Sequence, residues 1–339
     1  MQREITQAQT LLDENGALIE PGYARKMMFE YNREQIKAGP FSLKEWDFYQ
    51  AISGDYVLQL TIGHVSYVAS FSVMLFNIKT GEKKNFTRMK PLPLRSGISF
   101  PRNPENPGVL EVVGNDYFMR FETREHERAL TVQADDKKLG KIDIDIVLNN
   151  DPGNEKMVIA TPFIKSNQFY LNYKENYYGI KGRAQVGDMS MQPGENDTAL
   201  LDWGRGVWPF KHEWFWGNGS GYVNGGRFGF NIGWGFGNLE YATENMFFWN
   251  GRAYKLDTLT VERDERDYMK PWHFTDNEGM FDFTMTPVYD RYTENNMLVI
   301  NTHCHQIFGL YTGTAKLPDG EIIEVKDLTA FCEHAENRW

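Results

Sequence analysis

Two titratable side chains stand together in the most aromatic stretch of the chain. His212 and Glu213 precede Trp214 and Trp216 within the segment Leu201–Asn250. An imidazole or a carboxyl group is costly to bury without a partner, so we expect both to be hydrogen-bonded or to face a ligand. Apolar surroundings raise the pKa of a carboxyl group and suit it to general acid catalysis. The pattern predicts proton-transfer chemistry beside an aromatic wall.

The spacing of these residues indicates which of them share a surface. If Phe210–Trp216 forms a strand, alternate side chains point to the same face. His212, Trp214 and Trp216 then lie on one face and Glu213 lies on the other. Core packing is the alternative for the aromatic residues, because aromatics with interleaved glycines often fill a barrel. Exposure to solvent is the alternative for Glu213.

The same segment holds further polar residues that could take part in catalysis or in substrate binding. The acid can be Asp202, Glu213 or Glu244, with His212 as a base or hydrogen-bonding partner. Arg205 can orient an anionic group of a substrate. Indole rings can stabilise a positive charge by about 0.5–2 kcal/mol each. The candidate substrate-binding residues are Trp203, Arg205, Trp214, Trp216, Asn218, Trp234 and Asn245.

A metal site is the weaker interpretation of a second histidine pair. His303 and His305 follow the apolar run Leu298–Ile300, and on a strand they project to one side, as metal ligands can. No HExxH or CxxC pattern supplies further ligands, so we expect polar strand residues and no metal. The sequence also has no nucleotide-binding glycine loop and no serine-hydrolase elbow. We therefore expect a reaction without a cofactor.

Composition narrows the class of protein. The chain has 339 residues, of which 14% are aromatic, and 6 of its 9 tryptophans lie within Leu201–Asn250. This aromatic content excludes a disordered chain. The formal net charge of −10 disfavours nucleic acid as a partner, since phosphate backbones attract basic surfaces. We expect a small hydrophobic or aromatic ligand instead, and the oligomeric state stays open.

Targeting and redox signals favour a reduced compartment. No apolar run approaches the roughly 18 residues that a membrane-spanning helix needs. The first residues lack the pattern of a signal peptide. The two cysteines, Cys304 and Cys332, do not form a disulfide framework, although a single bridge between them is an open alternative. A cytoplasmic location is the expectation.

The elements that must position these residues are mainly strands. Tyr56–Leu60, Tyr67–Phe76 and Val109–Val113 are rich in β-branched and aromatic residues and are bounded by turn residues. Lys141–Leu148 alternates isoleucine with aspartate, which is typical of a strand with one wet face. Short strands at close spacing indicate a sandwich or barrel. The sequence predicts an all-β fold.

A few segments favour helices, and the length allows two domains. Ile5–Leu12, Ala24–Ile36 and the tail Leu328–Asn337 are the predicted helices, the last as a docked cap. We place a domain boundary near residue 160, after a polar stretch that ends one run of strands. The predicted domains are 1–160 and 161–339, and the second carries the Gly/Trp-rich segment.

Several motifs together resemble a known family. Lys44–Asp47, Asp202–Gly206 through Trp216, Glu244–Asn245 and the ending Glu333–Ala335 with Arg338–Trp339 resemble a bacterial family of unknown function along nearly the whole chain. That family is distantly similar to the carotenoid 1,2-hydratase (hydroxyneurosporene synthase) and AttH-like group. The likeness to this wider group is confined to the aromatic strand around His212–Trp214 and the β-rich pattern.

The resemblance implies a fold and a chemistry. It implies two lipocalin-like antiparallel β-barrel domains, of calycin type, with a pocket at or between them. Characterised members of the wider group hydrate alkenes or cyclise hydrophobic substrates without a redox cofactor, by protonating a double bond in an aromatic pocket. Where the hydratase-like pattern has an aspartate, this chain has Lys211.

Three functions are therefore open at this point. The first is an enzyme of the hydratase, dehydratase, isomerase or cyclase type with acid–base chemistry in a Trp-rich pocket. The second is a lipocalin-like protein that binds a small molecule without catalysis. The third is a carbohydrate-active protein, which requires two inward carboxylates roughly 5–10 Å apart.

Overall fold

The structure of the protein is a computed structural model that describes residues 2–39, 41–92, 97–149, 151–297 and 300–339. Strands dominate these residues, and one short 3-10 helix, Arg33–Gln35, is present among them. The first twelve strands are β1 Gln9–Thr10, β2 Gly22–Ala24, β3 Phe29–Glu30, β4 Leu43–Ser53, β5 Tyr56–His64, β6 Val68–Asn77, β7 Lys83–Pro91, β8 Gly108–Val113, β9 Tyr117–Thr123, β10 Glu127–Asp136, β11 Gly140–Asn149 and β12 Met157–Pro162. The others are β13 Phe169–Val186, β14 Met189–Met191, β15 Thr198–Val207, β16 Lys211–Val223, β17 Gly226–Trp234, β18 Met246–Trp249, β19 Arg252–Lys255, β20 Leu259–Glu262, β21 Trp272–Asp276, β22 Phe281–Met297, β23 Ile300–Lys316 and β24 Ile322–Arg338.

Two curled antiparallel sheets contain nearly all of these strands. The first has the order β7-β6-β5-β4-β15-β13-β11-β10-β9-β8, with the short strands β12 and β2 attached on the β11 side of β13 and β14 attached on its β15 side. The second has the order β19-β18-β17-β16-β24-β23-β22-β21-β20. Each sheet corresponds to one half of the chain. In each half the first long strand pairs with the last strand: β4 pairs with β15, and β16 pairs with β24. The two halves share one topology, and each sheet curls into a half-barrel. The predicted all-β fold of lipocalin-like antiparallel β-barrel type is confirmed.

Alternating hydrophobicity explains the strands that the sequence indicates. In β11 the side chains of Ile142, Ile144 and Ile146 are fully buried, whereas Asp145 is exposed. The Asn–Gly pair after β18 forms the expected hairpin turn, because Asn250 and Gly251 have φ values of 47° and 85°. Few residues other than asparagine and glycine adopt such φ values without strain.

Each half encloses its own core, and further buried clusters join the two halves. Leu200 and Phe76 of the first half pack with Trp216, Phe308 and Phe331 of the second. These side chains are all buried. The junction between the halves is therefore an apolar interface, and the cavity described below lies beside it.

The helix predictions are wrong for the two terminal segments. Ile5–Leu12 contains strand β1, and the tail Leu328–Asn337 lies within strand β24. Ala24–Ile36 contains β3 and the 3-10 helix rather than a long helix. The tail is rich in good helix formers, but backbone hydrogen bonds to strands on both sides override that preference. No helix in the described residues is long and apolar enough to cross a membrane.

The first sheet extends beyond the predicted domain boundary. Residue 160 lies in β12, which pairs with β13, and the sheet continues to Val207. The second sheet begins at Lys211. The predicted strand residues Leu298 and Val299, and Asn150, which belongs to the polar stretch before the boundary, lie outside the described residues.

Candidate functional site

A cavity of about 370 Å³ lies between the two sheets. Strands β4, β5, β13 and β15 of the first sheet and β16, β22, β23 and β24 of the second contribute its walls. Its volume falls in the range of small-molecule sites. The aromatic residues that line it are Trp46, Phe48, Tyr170, Trp214, Phe215, Trp216, Phe236 and Trp339, and the ionisable ones are Glu45, His64, Lys174, Asp202, Glu244, Arg291 and Glu333.

Asp202 supplies a buried carboxyl group to the wall formed by the first sheet. Its Oδ2 accepts a hydrogen bond from Trp46 Nε1 at 3.0 Å, and its Oδ1 accepts one from Asn172 Nδ2 at 2.6 Å. Burial raises its pKa, against the opposing influence of the Lys174 ammonium group and these hydrogen bonds. Lys174 is the residue directly opposite Asp202 on β13. A raised pKa suits this group to exchange protons near neutral pH.

Glu333 supplies a second carboxyl group from the wall formed by the second sheet. Its Oε1 accepts a hydrogen bond from Trp214 Nε1 at 2.8 Å, and its Oε2 accepts one from Gln306 Nε2 at 3.0 Å. Burial raises the pKa of Glu333, and the negative charge of Asp202 also raises it. The hydrogen bond from Trp214 and the positive charges of Arg291 and Lys174 lower this pKa. The two carboxyl groups are therefore close enough to influence each other across one cavity.

A glycine makes room for the indole that contacts Asp202. Gly204 lies opposite Trp46 in the pairing of β15 with β4, and Asp202 lies opposite Phe48. A methyl group on Gly204 would lie 2.3 Å from two carbons of the Trp46 indole. The indole occupies the space that a side chain at Gly204 would fill, and so its N–H reaches the carboxyl group two residues away.

The second sheet repeats this arrangement around Glu333. Glu333 lies opposite Trp216, and the small residue Ala335 lies opposite Trp214, whose indole N–H reaches back to the carboxyl group. Trp216 and Phe48, the aromatic residues opposite the two acids, meet edge to face across the junction, with ring centroids 6.1 Å apart. Each half of the protein thus contributes one carboxyl–indole pair to the cavity.

An ion pair lies beside Asp202. Lys174 Nζ donates to Glu244 Oε2 and lies 4.5 Å from the centre of the Trp216 ring. Asn231 forms hydrogen bonds with both groups that contact Lys174: its Nδ2 donates to Glu244 Oε2, and its Oδ1 accepts from Trp216 Nε1 at 2.7 Å. Glu244 is therefore a partner of Lys174.

A row of amide side chains joins the halves behind Glu333. Gln306 Oε1 accepts hydrogen bonds from Gln59 Nε2 at 2.8 Å and from Arg291 Nε at 2.7 Å. These donors fix the orientation of the Gln306 amide, so that its N–H group points to Glu333. Gln59 also donates to Gln50 in the first sheet. Glu333 is thereby positioned from both sheets.

A buried charge cluster surrounds Glu45, which lines the cavity together with His64. Glu45 Oε2 accepts from His64 Nε2 at 2.8 Å and lies 2.6 Å from Arg33 Nη2, and its Oε1 lies 3.4 Å from Arg205 Nε. Burial alone would raise the pKa of Glu45, but these donors and charges outweigh it and lower the pKa to about 2. The Nδ1 atom of His64 accepts from a backbone N–H, so Nε2 carries the proton.

Four of the predicted site residues line the cavity and the others lie elsewhere. Asp202, Glu244, Trp214 and Trp216 line it. Arg205 is fully buried, and it donates to Asp47 Oδ1 at 2.7 Å and to backbone carbonyls. The residues outside the cavity lining are Trp203, in the first core; Asn218, bonded to Asn176 and Asn231; Asn245, bonded to backbone groups; and Trp234, stacked on Phe215.

His212 and Glu213 lie on opposite faces of β16, as their spacing predicts, and outside the cavity lining. His212 packs behind the wall between Trp214 and Trp339, and its Nδ1 lies 3.0 Å from the carbonyl oxygen of Pro209. Burial lowers the pKa of His212 to about 4, so its ring is neutral at pH 7. Glu213 is exposed and lies 2.8 Å from His334 Nε2.

The second histidine pair and the cysteines have ordinary surroundings. His303 Nδ1 lies 3.0 Å from Tyr292 Oη, and His305 Nδ1 lies 2.7 Å from Asp290 Oδ2. Within the described ranges no group of three or more His, Cys, Asp or Glu side chains could hold a metal ion. Cys304 and Cys332 are both buried and free.

The residues that sequence reasoning missed are those that long-range pairing brings in. Glu333 lies in the segment that the sequence predicts as a helical cap, and the run Phe331–Ala335 has no apolar–polar alternation that would indicate a strand. Lys174, Gln306 and Arg291 carry no motif. They enter the site because β13 and β23 lie beside the strands that carry the two acids, and β22 lies beside β23.

Comparison with a solved structure agrees with this architecture. A crystal structure of an AttH-type protein from Nitrosomonas europaea has a TM-score of 0.50 and 11% identity, and the match covers 90% of this chain and 95% of that chain. Kievitone hydratase from Nectria haematococca has a TM-score of 0.47 and 11% identity, over 91% of this chain and 92% of that chain. At such identity, likeness to the first concerns the fold alone.

Sequence comparison gives the family. No curated protein matches the chain. The family model described as a domain of unknown function, DUF2804, matches residues 2–339. The resemblance to a family of unknown function along the whole chain is thereby confirmed, and the chain belongs to the DUF2804 family.

Proposed function

We propose that the protein is an enzyme that transfers protons to and from a small hydrophobic molecule, as hydratases, dehydratases, isomerases and cyclases do. The observation that carries this proposal is the pair of buried carboxyl groups, Asp202 and Glu333, which face one aromatic cavity from opposite sheets. Burial raises the pKa of both. A site that only holds an apolar molecule gains nothing from two such groups, because burying them is costly.

The surroundings of the two acids favour different roles. In the described residues every group that donates a hydrogen bond to Glu333 is neutral: the indole of Trp214, the amide of Gln306 and, at 4.0 Å, the thiol of Cys304. We assign Glu333 as the proton donor. Asp202 lies opposite the Lys174 ammonium group, which favours its carboxylate form. In this proposal Asp202 accepts a proton from water or from the substrate on the opposite side.

The aromatic walls complete the proposed chemistry. Protonating a carbon–carbon double bond creates a positive charge on the substrate, and Trp214 and Trp216 present ring faces or edges to the cavity. Cation–π attraction to such rings is worth about 0.5–2 kcal/mol each. Water then adds to the cation and gives up a proton, a nucleophilic group of the same molecule attacks the cation and closes a ring, or a proton leaves the cation. Hydration, isomerisation and cyclisation differ only in this last step.

Transfer of a solvent proton to carbon tests the proposal for every one of these reactions. The protein is incubated in heavy water with pools of small alkenes and phenolic compounds, and products are analysed by mass spectrometry for new carbon–deuterium bonds. We expect label from the wild type and its loss in Glu333→Gln. Glu213→Gln is the matched control, because this exposed carboxyl lies outside the cavity lining. A lipocalin-like carrier gives binding without label in any variant.

The indole of Trp214 is expected to set the pH range of the reaction. Its hydrogen bond lowers the pKa of Glu333, so Trp214→Phe raises that pKa further. A general acid must be protonated, and the alkaline decline of kcat/KM then moves to higher pH. Trp234→Phe, which changes an indole outside the cavity lining, is the matched control. An unchanged profile in Trp214→Phe would contradict Glu333 as the donor.

A further inference from the structure

We propose that the ligand of this cavity carries a carboxylate group, which binds the guanidinium group of Arg291. The proposal deepens the proposed function, on which it rests for the choice of cavity. Arg291 lies on β22 and lines the cavity together with Asn295 of the same strand. Thr302 of the neighbouring strand β23 also lines it. The second sheet thus brings one cation and several neutral polar groups to one part of the wall.

The partners of Arg291 are all neutral. Its Nε donates to Gln306 Oε1 at 2.7 Å, and its Nη1 donates to Thr293 Oγ1 at 3.2 Å and to Met74 Sδ at 3.6 Å. In the described part of the chain, no carboxylate lies within 4.0 Å of this guanidinium group, and its Nη2 makes no hydrogen bond. A partly buried arginine is normally paired with an anion.

The other cation of the cavity wall is already neutralised. Lys174 forms an ion pair with Glu244. Arg33 and Arg205, which balance Glu45, do not line the cavity. Arg291 is therefore the cation of the lining that the described residues leave without a counter-charge. This contrast points to an anion that arrives with the ligand.

The shape and chemistry of the site favour a carboxylate. A single guanidinium edge matches the two oxygens of one planar carboxylate. The rest of the lining is mainly aromatic, with Trp214, Trp216 and Phe236 among it. The ligand class is therefore a compact amphipathic acid, whose apolar body lies along the aromatic wall and whose carboxylate lies at Arg291.

An anion at Arg291 also supports the proposed proton donor. The positive charge of Arg291 lowers the pKa of Glu333, with Gln306 lying between the two side chains. A bound carboxylate offsets that charge and favours the protonated form of Glu333. The substrate would thus favour protonation of the acid that acts on it.

The alternative is that Arg291 serves only to orient Gln306, and the two roles differ in what they do to ligand affinity. Trans-cinnamate and cinnamamide have nearly the same shape and differ in charge. Their dissociation constants are measured by quenching of tryptophan fluorescence, for the wild type and for Arg291→Met. We expect the wild type to prefer the acid by roughly ten- to a hundredfold, as for a hydrogen bond to a charged group.

Arg291→Met should lose this preference while keeping its affinity for the amide. Arg183→Met is the matched control, because Arg183 is exposed and far from the cavity lining. Equal affinity of the wild type for acid and amide, or an equal loss of both in Arg291→Met, overturns the proposal. The measurement needs no turnover. A charge preference that depends on Arg291, without deuterium transfer that depends on Glu333, would reject the proposed function alone, and the converse result would reject the carboxylate alone.

Discussion

Replacing Asp202 by asparagine is expected to reduce turnover by about 10²–10⁴-fold, with ligand affinity largely retained. Asparagine keeps the volume of the side chain and one acceptor oxygen, but it cannot take up a proton at neutral pH. Both oxygens of Asp202 accept a hydrogen bond, one from Trp46 and one from Asn172, and asparagine keeps the acceptor for one of these donors. The variant therefore keeps the size and one anchor of the side chain and loses the group that takes up a proton. Turnover is measured on a substrate identified by deuterium transfer, and affinity by fluorescence quenching.

The matched control for this substitution is Asp145→Asn. Asp145 lies on the exposed face of β11, away from the cavity lining, and its variant should react like the wild type. If Asp202→Asn loses affinity and turnover in parallel, Asp202 serves ligand binding or folding and the acid–base role is rejected. Unchanged turnover in Asp202→Asn would also reject it.

Replacing Arg205 by methionine is expected to lower the free energy of unfolding by about 3–5 kcal/mol. Arg205 is fully buried and contacts the carboxylates of Asp47 and Glu45. Methionine fills similar space but leaves two buried carboxylates short of a partner. Urea denaturation of the variant measures the effect. Arg183→Met is the control, because its exposed ion pair with Asp143 should contribute about 0–1 kcal/mol.

The pH dependence of stability gives Arg205→Met a second signature. The folded-state pKa of Glu45 is about 2, below its ordinary value of 4.5, so Glu45 adds stability above pH 4.5 that is lost as the pH falls towards 2. Removing Arg205 raises this pKa and narrows the window over which Glu45 stabilises the fold. The acid unfolding midpoint should move to higher pH. A midpoint and a free energy equal to those of the wild type would show that the buried cluster contributes no net stability.

Much of the fold follows from local patterns in the sequence. The alternation of isoleucine and aspartate in β11, the Asn250–Gly251 turn and the shared face of Trp214 and Trp216 can all be read directly. These features depend on neighbours in the chain. The tail differs, because its residues favour a helix locally and become a strand only through pairing with β16 and β23.

The candidate site was predictable only in part for the same physical reason. Asp202 and Trp216 lie in a conspicuous aromatic run, and both line the cavity. Glu333 has an ordinary sequence environment and acquires its role because β24 places it across the cavity from Asp202. Arg205 stands in the conspicuous run but turns to Asp47 in the interior. The aromatic composition of a segment indicates that it forms part of the cavity wall. The pairing register of the strands determines which of its side chains face the cavity.

The position of the cavity at the junction has a thermodynamic consequence. A ligand that touches both sheets is a non-covalent cross-link between the two halves. It binds the joined molecule and is released when either half unfolds. Each further tenfold increase of the ligand concentration above its Kd therefore adds about 1.4 kcal/mol to the free energy needed to unfold either half. Occupancy would raise the Tm of both halves together, whereas a ligand held inside one half would raise the Tm of that half alone.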